Sequence, residues 1–320
     1  MSNNVEVLLV GTGNMGVEYT KVLLGLGKTP IAICRSEKGA KAYTEKTGVT
    51  AFSGGVEKYY GEKQRFPQHA IVAVNIDQLF DVAEYLVLHG VKSILLEKPG
   101  GVNKEQLENL SEMAKEKGAT IQIAYNRRYY ASTEKALEII ENDGGVTSFY
   151  FEFTEWMHVH LGLHPDGDTL DKLFLNNGTH VADLAFYLGG FPKEIKAFRS
   201  NGDTIHPAGK IFAGAGITEK GALFNYQANW DAPGRWGLEV MTNTHRLIFR
   251  PMEKLSIQEL RSVAVNPVEI DDQLDTKYKP GLYREVEAFL CDADDGKRIM
   301  IAEQCRHIDV YAEICGEDIL

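Results

Sequence analysis

Glu97, Lys98 and Pro99 end an apolar run, Val91 to Leu96, that contains no glycine or proline and reads as a short buried strand. A lysine fixed at such a strand end can hand over a proton or steady the charge on a developing alkoxide. Pro99 restricts Lys98 to extended backbone. The plainer alternative is a solvated salt pair at a surface strand end. A second stretch, "GTGNMG", spaces Gly11, Gly13 and Gly16 as G-x-G-x-x-G, with Thr12, Asn14 and Met15 between them. Gly11 permits a tight turn, Gly13 lets the backbone approach a pyrophosphate, and Gly16 lets helix and strand pack closely. The phosphates belong at the helix N-terminus, where free N–H groups and the dipole favour anions. A glycine-rich turn without a ligand is the alternative.

Both motifs need a frame that brings strand ends together, and the first 125 residues supply one. Val5 to Gly11 is a buried strand, followed by an amphipathic helix closed at Gly27. "TPIAICRS" is a second strand. "DQLFDVAEYLVLHG" is a helix with Asp77 as N-cap and Gly90 as stop, and "NKEQLENLSEMAKEKG" is another, from Asn103 to Gly118. "TIQIAYN" is the next strand. Such alternation predicts a doubly wound parallel sheet, with the ligand outside the carboxyl ends of the strands. Gly11 to Gly16, Arg35 and Lys98 all fall at such ends. At the end of the second strand, the acid that bonds a ribose 2′-hydroxyl in NAD sites is absent; Arg35, Ser36 and Lys38 suit a 2′-phosphate instead. A solvated basic turn, with Glu37 on the ribose, is the competing arrangement.

Length and composition bound the rest. The 320 residues suffice for two domains, and 44% apolar with 25% charged residues is ordinary for a globular chain. A net charge of −11 with no basic stripe argues against nucleic acid as a partner. The chain runs directly into a strand and has no long apolar span, which predicts a cytoplasmic protein with no membrane partner. Cys34, Cys291, Cys305 and Cys315 have no metal-type spacing and are expected to be free buried thiols. After residue 126 the texture changes. "STEKALEIIEND" is a helix, and "TSFYFEFTEW", "GKIFAGAGI", "GALFNYQANW", "WGLEVMT" and "HRLIFRP" alternate, predicting an α+β domain with a largely antiparallel sheet. The boundary expected is 1–125 for the dinucleotide-binding domain and 126–320 for a substrate-binding and oligomerisation domain.

"GTGNMG", "EKPGG", "AYNRRYYAS", "NNGTHVADLAFYLGG" and "YREVEAFLCDADDG" together resemble the glucose-fructose oxidoreductase / inositol dehydrogenase / MocA (Gfo/Idh/MocA) family of NAD(P)-dependent sugar and cyclitol oxidoreductases. The resemblance implies that Lys98 lies beside the nicotinamide and a substrate hydroxyl, that the Lys98–Pro99 bond is cis, and that the G-x-H-x-x-D segment is Gly178, His180 and Asp183, with His180 aimed at the reacting carbon. It also implies a homodimer or homotetramer joined through the outer face of the second sheet. One position departs from the family: an aspartate commonly stands four residues before the histidine, and here it is Asn176. An asparagine can orient the ring but supplies no charge to hold it protonated.

The expected activity is hydride transfer between a nicotinamide and a hydroxyl or keto carbon of a sugar or sugar derivative, with NADP(H) preferred and NAD(H) possible. Lys98, His180 and Asn176 are the catalytic candidates. The cofactor set is Gly11, Thr12, Gly13, Asn14, Met15, Gly16, Arg35, Ser36, Lys38, Asn75, Glu97, Lys98 and Pro99. The substrate set is Asn126, Arg128, Trp156, His158, Asn177 and His180, a polar lining with one aromatic wall that suits a polyhydroxylated ring. Arg127 and Arg128 favour an anionic substrate, unless they are hinge salt bridges. Trp230 is a second aromatic candidate, with core packing as the alternative. His158, His160 and His164 tempt a metal reading, with the first two on one face of a strand, but no cysteine or acid cluster joins them at ligand spacing; they are expected in a polar loop over the substrate, and no metal is expected. The rival functions are an NAD-linked inositol or cyclitol dehydrogenase and a dinucleotide-binding regulator without catalysis.

Overall fold

The strand Val7–Val10 (β1) is buried along its whole length, and the chain turns at Gly11 into the helix Asn14–Gly25 (α1). In this computed structural model, residues 5–163, 172–200, 209–292 and 295–316 are described. From β1 the chain alternates through Ile31–Cys34 (β2), Glu37–Thr47 (α2), Ala51–Ser53 (β3), Gly55–Lys63 (α3), His69–Val72 (β4), Leu79–Leu88 (α4), Ser93–Glu97 (β5), Lys104–Lys117 (α5) and Thr120–Ala124 (β6). The strands β1 to β6 pair in parallel in the order β6-β5-β4-β1-β2-β3, the doubly wound arrangement expected. Local chemistry sets the helix ends. The Asn103 side chain accepts from the Gln106 amide at 2.9 Å to start α5, and Gly118 closes it at φ +60. The start of α4 differs from expectation. Residues Ile76–Gln78 form a 3₁₀ turn capped at Asn75, so Asp77 lies inside that turn and is no N-cap.

The second unit contains Ala131–Asn142 (α6), Ser148–Glu152 (β7), Met157–Leu163 (α7), Thr179–Gly189 (α8), Pro192–Arg199 (β8), Ile211–Thr218 (β9), Leu223–Asn229 (β10), Gly237–Met241 (β11), His245–Phe249 (β12), Ser256–Glu259 (β13) and Val265–Pro267 (β14). Its eight strands run β14-β13-β12-β11-β7-β10-β9-β8, antiparallel throughout except for the parallel pair β7 and β10. Phenylalanines fill the layer between sheet and α8: Phe149 and Phe151 of β7 both meet Phe186 edge-on. Residues His158 to Leu163, expected in a polar loop over the substrate, coil into α7 instead, and the strand face that a metal would need is absent from them. Both edges of β7 are already taken by β10 and β11, and Trp156 O accepts the first turn bond from Val159 N. Residues two apart do not face each other on a helix, so His158 and His160 diverge; His164 lies outside the described residues.

The chain then returns to the first unit through Gln273–Lys277 (α9), Leu282–Cys291 (α10), Ile299–Met300 (β15) and the start of Ile301–Cys315 (α11). The boundary of 1–125 and 126–320 is therefore corrected. The first unit runs to Tyr129 and includes Leu274–Arg306; the second holds Tyr130–Gln273 and the residues from His307 on. The physical cause is burial. Leu282, Val286 and Phe289 of α10 join the core of Val7, Leu9 and Leu23, and β15 pairs antiparallel with the free edge of β6. The cysteines need a correction too. All four are free, but only Cys315 is buried, and Cys291 is exposed because it ends α10.

Candidate active site

In the first unit, Gly11 leaves β1 at φ +105, and a Cβ there would stand 2.1 Å from Ala73 O. A Cβ on Gly16 would stand 2.1 Å from Gly11 O, so the glycine is what lets α1 start against the turn. Gly13 meets nothing: a Cβ would point into open space. That space belongs to a cleft of about 390 Å³ lined by Gly11, Thr12, Gly13, Arg35, Ser36 and Asn75. Bare backbone at a helix N-terminus, facing an open cleft at the switch in strand order between β1 and β4, fits a dinucleotide pyrophosphate. Asn14 and Met15 line a neighbouring hollow with Lys46 and Lys279. Lys38 is on the exposed face of α2, outside the cleft lining.

Arg35 and Ser36 are already engaged. The Ser36 hydroxyl caps α2 by accepting from Gly39 N at 3.1 Å. With its side-chain amide turned so that the oxygen faces the guanidinium, Gln78 accepts from Arg35 Nη1 and Nη2 at 2.6 and 3.1 Å along the cleft wall. Two carboxylates that the sequence reading missed, Glu57 and Asp81, share that wall.

The Lys98 turn is held from both sides. The Lys98–Pro99 bond is cis, as expected. Glu97 is buried, and the Tyr19 hydroxyl donates to its Oε1 at 2.9 Å. Burial pushes the Glu97 carboxyl up from its ordinary value, opposed by the Lys98 charge and the Tyr19 hydrogen bond. Beyond Lys98, the buried Gln304 amide donates to Pro99 O at 3.0 Å and to the Tyr125 hydroxyl at 3.2 Å. Lys98 itself is half-buried. The "YNRR" side chains turn inward within this unit: Asn126 Nδ2 donates to Pro280 O, Arg127 to Asn126 Oδ1, and buried Arg128 to Lys297 O. Two of these three bonds end on backbone carbonyls.

In the second unit, Asn176 and Asn177 lie in a π-helical turn, Phe174–Gly178, that leads into α8. Gly178 is required there, because a Cβ would meet the Phe174 ring at 2.6 Å. His180 is in the first turn of α8 and mostly buried, with its ring centroid 6.2 Å from that of Trp236. Asp183, fully buried, has Oδ1 3.8 Å from His307 Nδ1. Trp156 is exposed and donates from Nε1 to Gly234 O at 2.8 Å; exposed His158 lies alongside it at 6.2 Å. Trp230 is buried and belongs to the core, where Nε1 donates to Phe153 O. No group of three histidine, cysteine, aspartate or glutamate residues among the described residues could hold a metal ion.

Residues 5–125 match the GFO_IDH_MocA family, described as an oxidoreductase family with an NAD-binding Rossmann fold. The chain carries the dinucleotide-binding domain of that family. No curated protein sequence matches it. Solved structures resemble it over nearly its full length. UDP-N-acetylglucosamine 3-dehydrogenase from Acidithiobacillus ferrooxidans is 16% identical over 97% of this chain and 96% of its own, with a TM-score of 0.75. Levoglucosan dehydrogenase, in complex with NADH and levoglucosan, is 16% identical over 99% and 98%, with a TM-score of 0.76. A protein from Desulfitobacterium hafniense, provisionally described as an NADPH-dependent oxidoreductase, is 19% identical over 97% and 94%, with a TM-score of 0.78. These likenesses establish a shared fold for the whole chain, including the antiparallel second unit.

The neighbours of the E-K-P turn and of His180 that the sequence hid are those met through distant pairing. Tyr19 and Gln304 flank the E-K-P turn from positions 78 and 205 residues away from their partners. Glu155, Arg235 and Trp236 form a cluster beside His180 that no local motif signals.

Proposed function

We propose that this protein is a nicotinamide-dependent oxidoreductase that acts on a hydroxyl-bearing or keto carbon of a sugar-like substrate, with NADP(H) preferred. The observation that carries the reading is within the first unit: the G-x-G-x-x-G turn and the E-K-P turn stand at the carboxyl ends of parallel strands β1 and β5, separated only by β4. The dinucleotide, when bound, supplies or takes up the hydride. Gly11, Gly13 and Gly16 open the backbone to its phosphates, and Arg35 with Ser36 lies where a 2′-phosphate would need a cation. Lys98 carries the proton and steadies charge on the substrate oxygen. His180, in the second unit, orients the substrate, and Asn176 orients His180 without charging it. Asn126, Arg128, Asn177, Trp156 and His158 are the further substrate-binding candidates. The roles of Lys98 and His180 rest on the family resemblance of their own segments.

Glu57 and Asp81 in the cleft favour a second reading, an NAD(H)-linked cyclitol dehydrogenase. A regulator without turnover is supported by Asn176 alone. We further propose a homodimer or homotetramer in the cytoplasm. Phe198, Ile211 and Leu223 are exposed on β8, β9 and β10, and the pairing register puts all three on the outward face of the second sheet. No described helix is long and apolar enough to cross a membrane.

The test is a pair of titrations by nicotinamide fluorescence, followed by a screen of free sugars, cyclitols and sugar nucleotides at the nicotinamide absorbance band. Tighter binding of NADPH than NADH, with the difference erased in Arg35→Ala, supports the cofactor assignment. Equal affinities sink the preference, and failure to bind either dinucleotide sinks the function.

A further inference from the structure

The second unit holds a cluster of charged and aromatic residues outside the assigned set. Glu155 is almost fully buried between β7 and α7, and both its oxygens are engaged: Oε1 accepts from Trp236 Nε1 at 3.0 Å, and Oε2 is 3.2 Å from His160 Nε2. A carboxylate this deep persists only when bonded on all sides, so it works as an anchor. Arg235 is tied to this anchor. Its guanidinium carbon lies 5.0 Å from the Trp156 ring centroid and 4.7 Å from that of Trp236, and Nη1 is 3.5 Å from Glu155 Oε2. A charge-assisted hydrogen bond runs at about 2.7–2.9 Å, so the contact with Glu155 attracts the guanidinium without consuming its donors. The Arg235 side chain keeps 49% of its surface in solvent. Trp156 is itself fixed, through Nε1 on Gly234 O. The indole of Trp236 that carries Arg235 is also the one whose ring centroid is 6.2 Å from that of His180.

We propose that Arg235, gripped by Trp156 and Trp236 over the Glu155 anchor, is the residue that reads an anionic group on the substrate, so that the sugar-like molecule carries a carboxylate or a phosphate. The guanidinium is planar, permanently charged and pre-positioned by two rings, which lowers the ordering cost of a bidentate contact. Its outward edge presents paired N–H donors of the spacing that a carboxylate or phosphate accepts. The two arginines that the sequence singled out for this role, Arg127 and Arg128, each make a bond inside the first unit. This inference rests on the proposed oxidoreductase reading, because it takes the surroundings of His180 as the substrate side of the enzyme.

The reporter is built in, since Trp156 and Trp236 are the exposed and half-buried members of three tryptophans. Full-length protein saturated with NADPH is titrated with D-glucuronate, D-glucose 6-phosphate and D-glucose at constant ionic strength, and tryptophan emission is followed. The two anions should change the emission saturably, and the neutral sugar should bind at least tenfold more weakly. Comparing the two anions distinguishes a carboxylate from a phosphate. Arg235→Leu should lose about 10–100-fold of the anion affinity, the range for a charge-assisted contact. It should keep the NADPH affinity and the melting temperature. Arg235→Lys, which keeps the charge but not the fork, should recover only part. Equal binding of glucose and the anions, an anion affinity unmoved in Arg235→Leu, or no saturable response to either anion overturns the proposal. Loss of NADPH binding by the unaltered protein would instead overturn the reading beneath it.

Discussion

Tyr19→Phe is the sharpest probe of how the E-K-P turn is held. The substitution deletes one oxygen and leaves the fully buried ring in place, so packing is conserved while Glu97 Oε1 loses its 2.9 Å donor. Glu97 titrates with its pKa raised above the ordinary 4.5, first by burial. A carboxyl raised on folding gives up its proton more readily in the unfolded chain. Its burial therefore costs nothing extra below the unfolded pKa and costs progressively more as pH rises through the folded pKa. Tyr19 offsets part of that cost, because its hydroxyl favours the ionised carboxylate. At pH 4, below even the ordinary value, the variant loses a neutral hydrogen bond, about 1 kcal/mol; at a pH above the folded pKa of Glu97 it loses one to a charged group, about 1.5–3 kcal/mol. At about 2–4 °C per kcal/mol, the melting deficit should grow from roughly 2–4 °C to roughly 3–12 °C. Calorimetry of both proteins at the two pH values measures this directly. A deficit that is the same at both would refute the charge-coupled hold on Glu97.

Gly16→Ala and Gly13→Ala should fail in different ways. The first forces a Cβ to 2.1 Å from Gly11 O and should lower thermal stability by about 1–3 kcal/mol as well as dinucleotide affinity. The second fills only open space, so its melting point should hold while fluorescence titration shows at least tenfold weaker NADPH binding; unchanged affinity in Gly13→Ala would remove the phosphates from that cleft. Lys98→Met should abolish turnover with NADPH binding nearly intact, and His180→Asn should be milder; comparable losses in both variants would overturn their division of labour. Asn176→Asp should make His180 more basic and move the acid limb of the pH–rate profile, and an unmoved limb would show that position 176 does not reach the ring.

Features of short sequence range were legible in the chain alone. The G-x-G-x-x-G turn, the Asn103 cap, the alternation that makes β1 to β6 parallel, and the placement of Lys98 after a buried strand each depend on residues within a few positions of one another. Backbone sterics and apolar periodicity act at that range. The cis Lys98–Pro99 bond was reached by resemblance, since nothing in the local residues favours it. Tertiary structure decided what required partners from far along the chain. The apolar stripe of α10 could have covered either unit; the core around Leu9 took it, and the free edge of β6 took β15. His158 to Leu163 read as a polar loop, yet their backbone bonds to itself as a helix, starting from Val159 N to Trp156 O. Asn126 and Arg128 read as cleft residues, and only the fold shows that Pro280 and Lys297 supply carbonyls for them. Glu155 and Arg235 are 80 positions apart and meet only because β7 and β11 pair, which places their adjoining loops together. A side chain's role at that range is set by what the fold brings to it, and no local pattern encodes the meeting.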